Sequence, residues 1–206
     1  MHPFFWLLLP LFALVLVFLF YKAISFSFPR MGIPRRLVIP IFVAVLVGGF
    51  FNIPIWRNES TKVALNVGGA IIPLVISLYL LRKAPLIRTA LAIAIVATVS
   101  GFLAEVDPDT GIRFHLGYLI LPLTSVSLAL ILARRKAPQV AFISGTIGGI
   151  IGVDLLHLKE LIDVGAGNMS IGGRGVFDGI FTTGVIAALL AGLLWRKLEP
   201  DGQVAE

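Results

Sequence analysis

The sequence contains no cysteine and few charged residues: only 14% of its 206 residues are Asp, Glu, Lys or Arg. The absence of cysteine excludes disulfides and thiolate chemistry. The shortage of charge accompanies 58% hydrophobic residues and a mean hydropathy of +0.99. A soluble domain of this size could not bury that much apolar surface. The chain is therefore expected to be an integral membrane protein.

Long apolar runs organise the whole chain. Seven of them approach the roughly 20 residues that a helix needs to cross a bilayer. They lie near residues 4–24, 37–55, 63–81, 86–104, 116–133, 139–158 and 175–195. The pattern predicts one all-α domain, residues 1–206, built as a polytopic bundle of about seven transmembrane helices. The longest gap, residues 159–174, contains VGAGNMSIGGRG and predicts a flexible or re-entrant loop.

The charges divide between the two predicted sides of this bundle. Twelve of the 17 lysines and arginines fall on the side that includes the C-terminus, whereas eight of the 11 acids fall on the other side. Basic loops face the cytoplasm, so the N-terminus is predicted outside, the C-terminus inside, and the protein in the cell membrane with several passes. The net charge of +6 thus reports topology, and no nucleic-acid partner is expected.

Two aspartates stand out within the last two runs. Asp154 lies 16 residues after Pro138, and Asp178 lies 18 residues before Arg196. At 1.5 Å per residue these separations correspond to about 24 Å and about 27 Å of helix. Consecutive antiparallel helices usually pack side by side. The two carboxylates are therefore predicted at matching depth near the external end, in a site that opens outward.

The chemistry of such a pair has two interpretations. Carboxyl groups that face each other in an apolar cleft share a proton, so that one can activate water while its partner protonates a carbonyl oxygen. Alternatively, Asp178 caps the start of its helix and Asp154 is a solvated residue at the membrane rim.

Further polar residues on the external half are candidates for lining this site. His157 follows Asp154 by one helical turn, and with Asp178 these residues are candidate ligands for a divalent metal; a solvated helix end explains the same spacing. Glu105 is expected to face inward, and Gly175 would allow close approach of the backbone to Asp178. No cofactor is otherwise predicted.

The octapeptide NVGGAIIP (66–73) predicts a kinked or partly unwound helix, because Asn66 and Pro73 disfavour a regular one. Such a break would expose backbone groups to a substrate. Residues 145–152, GTIGGIIG, also combine a Gly-Gly pair with an Ile-Ile pair. Either an inverted repeat or close packing of helices at glycines accounts for this similarity.

Two resemblances follow from these motifs. NVGGAIIPLVISLYLL, AEVDPDTGI and IGGRGVFDGIFTTGVIAALLAGLL resemble the membrane protein family labelled domain of unknown function 1614. The last two runs also resemble the GxGD intramembrane aspartyl proteases, signal peptide peptidase and presenilin. This second resemblance implies Asp154 and Asp178 as the catalytic pair. The sequence departs from that motif at Val153, where tyrosine is expected, and at Phe177, where glycine is expected, and it lacks the Pro-Ala-Leu motif.

Together these features favour an aspartyl intramembrane hydrolase that acts on membrane-embedded or membrane-proximal peptides, with membrane lipids around it. Three alternatives stay open: a transporter-like protein that binds an ion or solute at the same carboxylates, a metal-dependent membrane hydrolase that uses Asp154 and His157, and a structural membrane protein with a polar rim.

Overall fold

The computed structural model describes residues 4–57, 61–107, 111–114, 116–165, 167–173 and 179–198, and most of these are helical. The α-helices are α1 (Phe4–Arg30), α2 (Val38–Gly48), α3 (Ile72–Leu81), α4 (Leu86–Leu103), α5 (Gly117–Ala133), α6 (Ala137–Ile143), α7 (Leu158–Asp163) and α8 (Gly179–Leu198). Short 3₁₀ turns at Arg35–Leu37 and Arg134–Lys136 precede α2 and α6.

Four helical stretches are long and apolar enough to cross a membrane: Pro10–Arg30, Leu86–Leu103, Gly117–Asp163 and Gly179–Lys197. Their outer faces are also apolar. Ile87, Phe102 and Ile131 are 87%, 86% and 74% exposed. A soluble protein rarely exposes so much apolar surface, so the structure supports a membrane protein.

The all-α expectation needs a correction, because the chain also forms two small sheets. Strands β1 (Asn52–Arg57), β2 (Thr61–Asn66) and β5 (Gly167–Ile171) make a three-stranded sheet, and β3 (Glu105–Asp107) pairs with β4 (Gly111–Arg113). β1 and β2 are antiparallel, whereas β2 and β5 are parallel. The second apolar run therefore ends in a strand, β1, and the third begins with a strand, β2.

The gap at 159–174 also differs from the predicted loop. Its first part is helix α7, and its second part is β5, which docks in register beside β2 with Ala64 opposite Ser170. This pairing joins residues about 100 positions apart and brings the end of the sixth run close to the start of the third.

Three segments are π-helical, so their backbone hydrogen bonds span one residue more than those of an α-helix. They are π1 (Val67–Ile71), which leads into α3, and π2 (Ser144–Gly148) and π3 (Ile150–Leu155), which continue α6. The irregular backbone expected around Asn66 is thus a π-helical turn. Both Gly-Gly motifs lie in such segments, and π-helical turns occur frequently at functional sites.

Glycines let these segments approach neighbouring helices. A Cβ on Gly68 would overlap the backbone at Val45 and Gly49 near the end of α2. A Cβ on Gly152 would overlap the Ser100 hydroxyl and the Ala97 carbonyl in α4. Small residues at a close helix contact are typical of membrane bundles.

Helices α6 and α8 form the centre of the bundle, and the second half of α1 packs against them. Phe142 of α6 makes edge-to-face contacts with Phe28 of α1 and with Phe181 of α8, at ring-centroid distances of 6.1 Å each. Small residues of α8 recur at the spacing of one helix face and are all buried: Gly184, Ala187, Ala188, Ala191 and Gly192. This face brings α8 close to α6 and so places the start of α8 near the π-helical segments.

Candidate functional site

Asp154 lies near the end of π3, and its side chain is only 9% exposed. Its Oδ2 accepts a hydrogen bond of 2.7 Å from the backbone N–H of Gly172, which follows β5. A buried carboxylate requires such a donor, because an unpaired one would lose its hydration without compensation. Asp154 therefore attaches the turn after β5 to the end of the sixth run.

Only glycine fits at position 172. Its φ of +82° is in the left-handed region that side chains disfavour. A Cβ there would lie 2.6 Å from the backbone nitrogen of Ala70 and 2.7 Å from the carbonyl carbon of Gly69. The turn is thus pressed directly against π1, and π1 and π3 meet on either side of Gly172.

Asn66 fixes the backbone of π1, the segment that Gly172 contacts. It is fully buried at the end of β2, and its Oδ1 accepts a 2.7 Å hydrogen bond from Gly69 N–H, which caps π1. Its Nδ2 donates to Gly49 O and to Asn52 Oδ1, both at 3.0 Å. The polar atoms of Asn66 thus hold the backbone in place, and its role in lining a substrate site stays a prediction.

Asn52 and Ser170 complete the network. Ser170 Oγ donates to Asn52 Oδ1 at 2.7 Å, so the side chain of Asn52 joins the first and last strands of the sheet. Asn52 is exposed and Ser170 is half-buried, whereas the carboxylate of Asp154 is buried. We call the set Asn52, Asn66, Asp154, Ser170 and Gly172 the polar junction.

His157 lies one turn beyond Asp154 but is not joined to it by a hydrogen bond among the described contacts. Its Nδ1 lies 3.1 Å from Gly152 O and 3.2 Å from Val153 O. Carbonyl oxygens only accept, so Nδ1 carries the proton, and in the neutral ring Nε2 is left as an acceptor. The half-buried ring thereby donates to backbone carbonyl groups near the C-terminal end of π3.

Glu105 does not face inward as expected. It begins β3, its side chain is exposed, and it is paired in register with Arg113. In the same hairpin Asp107 forms a 2.6 Å ion pair with Arg113. The ion pair stabilises the pairing of β3 with β4, and Glu105 is an exposed residue of that pair.

Asp178 and Gly175 lie outside the described residues. The described residues that follow Asp178 pack beside the sixth run: a Cβ on Gly149 would lie 3.5 Å from Ile180 Cγ2. Ile180 also belongs to a buried apolar cluster with Ala70, Ile150 and Ile171. The described ends of the Gly173–Gly179 connection therefore both adjoin the segments that hold Asp154.

The metal hypothesis depends on the same aspartate. Within the described part of the chain, no group of three or more His, Asp or Glu side chains is placed to hold a metal ion. Asp154 and His157 are the described candidates, and the third candidate is Asp178.

Sequence reasoning missed Asn52, Ser170 and Gly172. Ser170 and Gly172 fall in the segment that was expected to be a loop. Their partners are 118 and 18 positions away, and a single sequence carries no periodic signal for such contacts. The Gly-Gly pair at 172–173 was the available indication, because adjacent glycines indicate a tight backbone conformation.

Comparison with known proteins gives one family. No curated protein and no solved structure matches the chain. The model of the family described as "Protein of unknown function (DUF1614)" matches residues 45–190, which include the polar junction, all three π-helical segments and most of α8. The chain therefore belongs to the DUF1614 family.

Proposed function

We propose that the protein is a membrane-embedded aspartyl hydrolase in which Asp154 and Asp178 form the catalytic pair. The hydrogen bond between Asp154 Oδ2 and Gly172 N–H carries the proposal. It fixes a buried carboxylate beside the chain segment that leads directly to Asp178. The first turns of α8 pack against π2, and Ile180 clusters with Ile150 at the start of π3. The segment between Gly173 and Gly179 therefore starts next to Gly172 and ends where α8 meets the sixth run, which supports a position of Asp178 on the side of Asp154.

The described hydrogen bond at Asp154 leaves the other oxygen of its carboxyl group available for catalysis. Gly172 N–H fixes Oδ2, so the carboxylate cannot rotate freely and Oδ1 remains for a water molecule or for its partner. Two carboxyl groups that share one proton can activate water and protonate the carbonyl oxygen of a peptide bond in the same step. The substrate class is a peptide within the membrane or at its surface, since the site is surrounded by apolar helices.

The proposal includes a multi-pass arrangement in the cell membrane with seven crossings, the N-terminus outside and the C-terminus inside. Two crossings use short helices, Val38–Gly48 with 11 residues and Val67–Leu81 with 15, or about 16 Å and about 22 Å at 1.5 Å per residue. Strands β1 and β2 continue these two crossings at the external end. The basic residues at the ends of α1 and α8 support the inside position of the C-terminus.

Thiol labelling tests the topology without removing any native cysteine. The exposed residues Arg82 and Lys159 lie on opposite predicted sides. In intact cells, an impermeant maleimide should label Lys159→Cys and should label Arg82→Cys only after the membrane is opened. The reverse pattern would show that the orientation is wrong.

Cleavage assays test the catalytic pair. Purified protein in lipid vesicles is mixed with a fluorogenic peptide that has one apolar segment. Asp154→Asn and Asp178→Asn should each abolish cleavage, whereas Asp163→Asn, an exposed aspartate of α7, should retain it. Asparagine keeps an acceptor for Gly172 N–H, so loss of activity with retained folding indicates loss of the acid. Full activity in either of the first two variants would refute the proposal.

A specific observation favours a second candidate, an ion- or solute-binding transporter. Ser125 of α5 and Thr183 of α8 are buried on either side of π2: a Cβ on Gly145 would lie 3.2 Å from Ser125 Oγ and 3.5 Å from the methyl carbon Cγ2 of Thr183. Thr146 is also fully buried, and its Oγ1 has no hydrogen-bond partner in the described part of the chain. These hydroxyls would continue a polar path inward from Asp154.

A flux assay separates the two candidates. Vesicles that contain the protein and a pH-sensitive dye are exposed to a proton or sodium gradient. Transport predicts a flux that Thr146→Val and Asp154→Asn both reduce. No flux above protein-free vesicles would remove this candidate, whereas the hydrolase predicts that Thr146→Val leaves cleavage intact.

A further inference from the structure

A cavity of about 360 Å³ lies at the basic end of the bundle, opposite the polar junction. It is lined by residues from the end of α1, the α5–α6 connection and the end of α8: Arg30, Arg135, Pro138, Gly192, Trp195 and Arg196. Small-molecule sites have volumes of about 300–1,000 Å³. The cavity is therefore large enough for a small ligand or for a lipid headgroup.

Arg30 is positioned by two contacts within α1. Its guanidinium carbon lies 3.3 Å from the centre of the Phe26 ring, and its Nη1 donates to Phe26 O at 2.8 Å. The hydrogen bond uses one of the five N–H donors of the group. Gly192 provides the space, because a Cβ there would lie 3.2 Å from Arg30 Cδ. The guanidinium is thus oriented without an acidic partner in these contacts.

Arg135 reaches the cavity through an unusual turn. The preceding residue, Arg134, has a φ of +45°, the one positive φ among the described non-glycine residues. This conformation is strained for a side chain other than glycine. Backbone strain of this kind occurs preferentially at functional sites. Here it reverses the chain between α5 and α6 and directs Arg135 toward the ends of α1 and α8.

The electrostatics of the cavity favour an anion. Among the six described residues that line it, three are arginines and none is acidic. Arg30 and Arg196 line the same cavity, so their like charges repel each other there. Helix C-termini attract single arginines, but that attraction does not explain why three guanidinium groups surround one cavity. A phosphate group would reduce this repulsion and accept paired hydrogen bonds from guanidinium N–H groups.

The position of the cavity indicates that the phosphate belongs to a lipid headgroup. It opens at the ends of apolar helices, and the half-buried indole of Trp195 is part of its wall. Tryptophan is enriched at the depth of lipid headgroups, and basic pockets between helices on the cytoplasmic side bind anionic headgroups. We infer that this cavity binds the phosphate group of an anionic phospholipid from the basic side of the membrane.

Native mass spectrometry of the full chain in detergent tests the inference. The probes are phosphatidylglycerol, phosphatidylcholine with the same acyl chains, and inorganic phosphate. Phosphatidylglycerol should bind about tenfold more tightly than phosphatidylcholine, and Arg30→Gln/Arg196→Gln should remove about that factor. The control Arg36→Gln/Arg82→Gln removes the same charge from exposed residues of the same end that do not line the cavity. It should change binding less than about twofold.

Two outcomes would overturn the inference. Equal losses in both double variants, or no loss in either, would show that only the overall charge attracts the lipid. Inorganic phosphate binding as tightly as phosphatidylglycerol would show that the source is not the lipid. Gly192→Leu is a variant without a charge change that should fill the cavity and weaken phosphatidylglycerol binding by a similar factor; unchanged binding there would place the lipid elsewhere.

Discussion

The hydrogen bond between Asp154 and Gly172 predicts an order of stability among three proteins. Asp154→Ala removes the acceptor and leaves the Gly172 N–H buried against π1, whereas Asp154→Asn retains an oxygen at the same position. The wild type should therefore be the most stable, Asp154→Asn intermediate and Asp154→Ala the least stable. This order separates the role of Asp154 in attaching the turn from its proposed role as an acid.

The expected size of the effect follows from the geometry. Leaving a buried donor without its partner costs about 1–3 kcal/mol. Asp154→Asn keeps an oxygen acceptor for Gly172 N–H, so it should lose less than Asp154→Ala. In a chain of this length each 1 kcal/mol corresponds to about 2–4 °C in melting temperature. Asp154→Ala should therefore melt roughly 2–12 °C below the wild type.

Thermal unfolding of the purified proteins in one detergent measures this order. Asp163→Ala is the matched control, because Asp163 is an exposed aspartate of the neighbouring helix, and it should melt within about 2 °C of the wild type. If Asp154→Ala melts at the same temperature as Asp154→Asn and the wild type, the hydrogen bond does not hold the turn, and the argument for a fixed carboxylate fails.

Three further substitutions test the packing around the site by the same unfolding measurement. Gly172→Ala should lose about 1–3 kcal/mol more than Gly167→Ala, because both have positive φ but nothing lies within 4 Å of a Cβ on Gly167; equal losses would argue against the close contact with π1. Asn66→Ala should cost about 1–3 kcal/mol, because it leaves the cap of π1 unmade, and a neutral result would contradict that role. Gly152→Ala should destabilise through overlap with Ser100, and a gain in stability would show that π3 and α4 are not in close contact.

The long helices could be predicted from the sequence, because the length of an apolar run is a strong signal for a membrane helix. The run at 86–104 became α4 within one residue of its predicted ends. The runs at 37–55 and 63–81 were less well predicted, since each is part helix and part strand. Hydropathy does not distinguish a buried strand from a helix. The β-branched and aromatic residues of NIPIWR were the local indication of a strand.

The candidate site was accessible only in part. The position of Asp154 within an apolar run indicated a functional residue, and the structure buries that side chain with a hydrogen bond from Gly172 N–H. Its partner Gly172 depends on β5 docking against β2, a contact between distant segments that no local pattern reports. Glu105 was misplaced because the end of its apolar run turns into an exposed hairpin, where strand pairing with Arg113 decides the direction of the side chain.

The proximity of Asp154 and Asp178 is the central claim, and a thiol cross-link tests it most directly. The chain has no native cysteine, so Asp154→Cys/Asp178→Cys contains only the two introduced thiols. After treatment with a short bifunctional thiol reagent in the membrane, cyanogen bromide cleaves the denatured protein at Met169, between the two positions. Ala64→Cys/Ser170→Cys, a register pair of β2 and β5, is the positive control. A shared site predicts that the fragments of both double variants stay joined; separated fragments for 154/178, with joined fragments for 64/170, would contradict it.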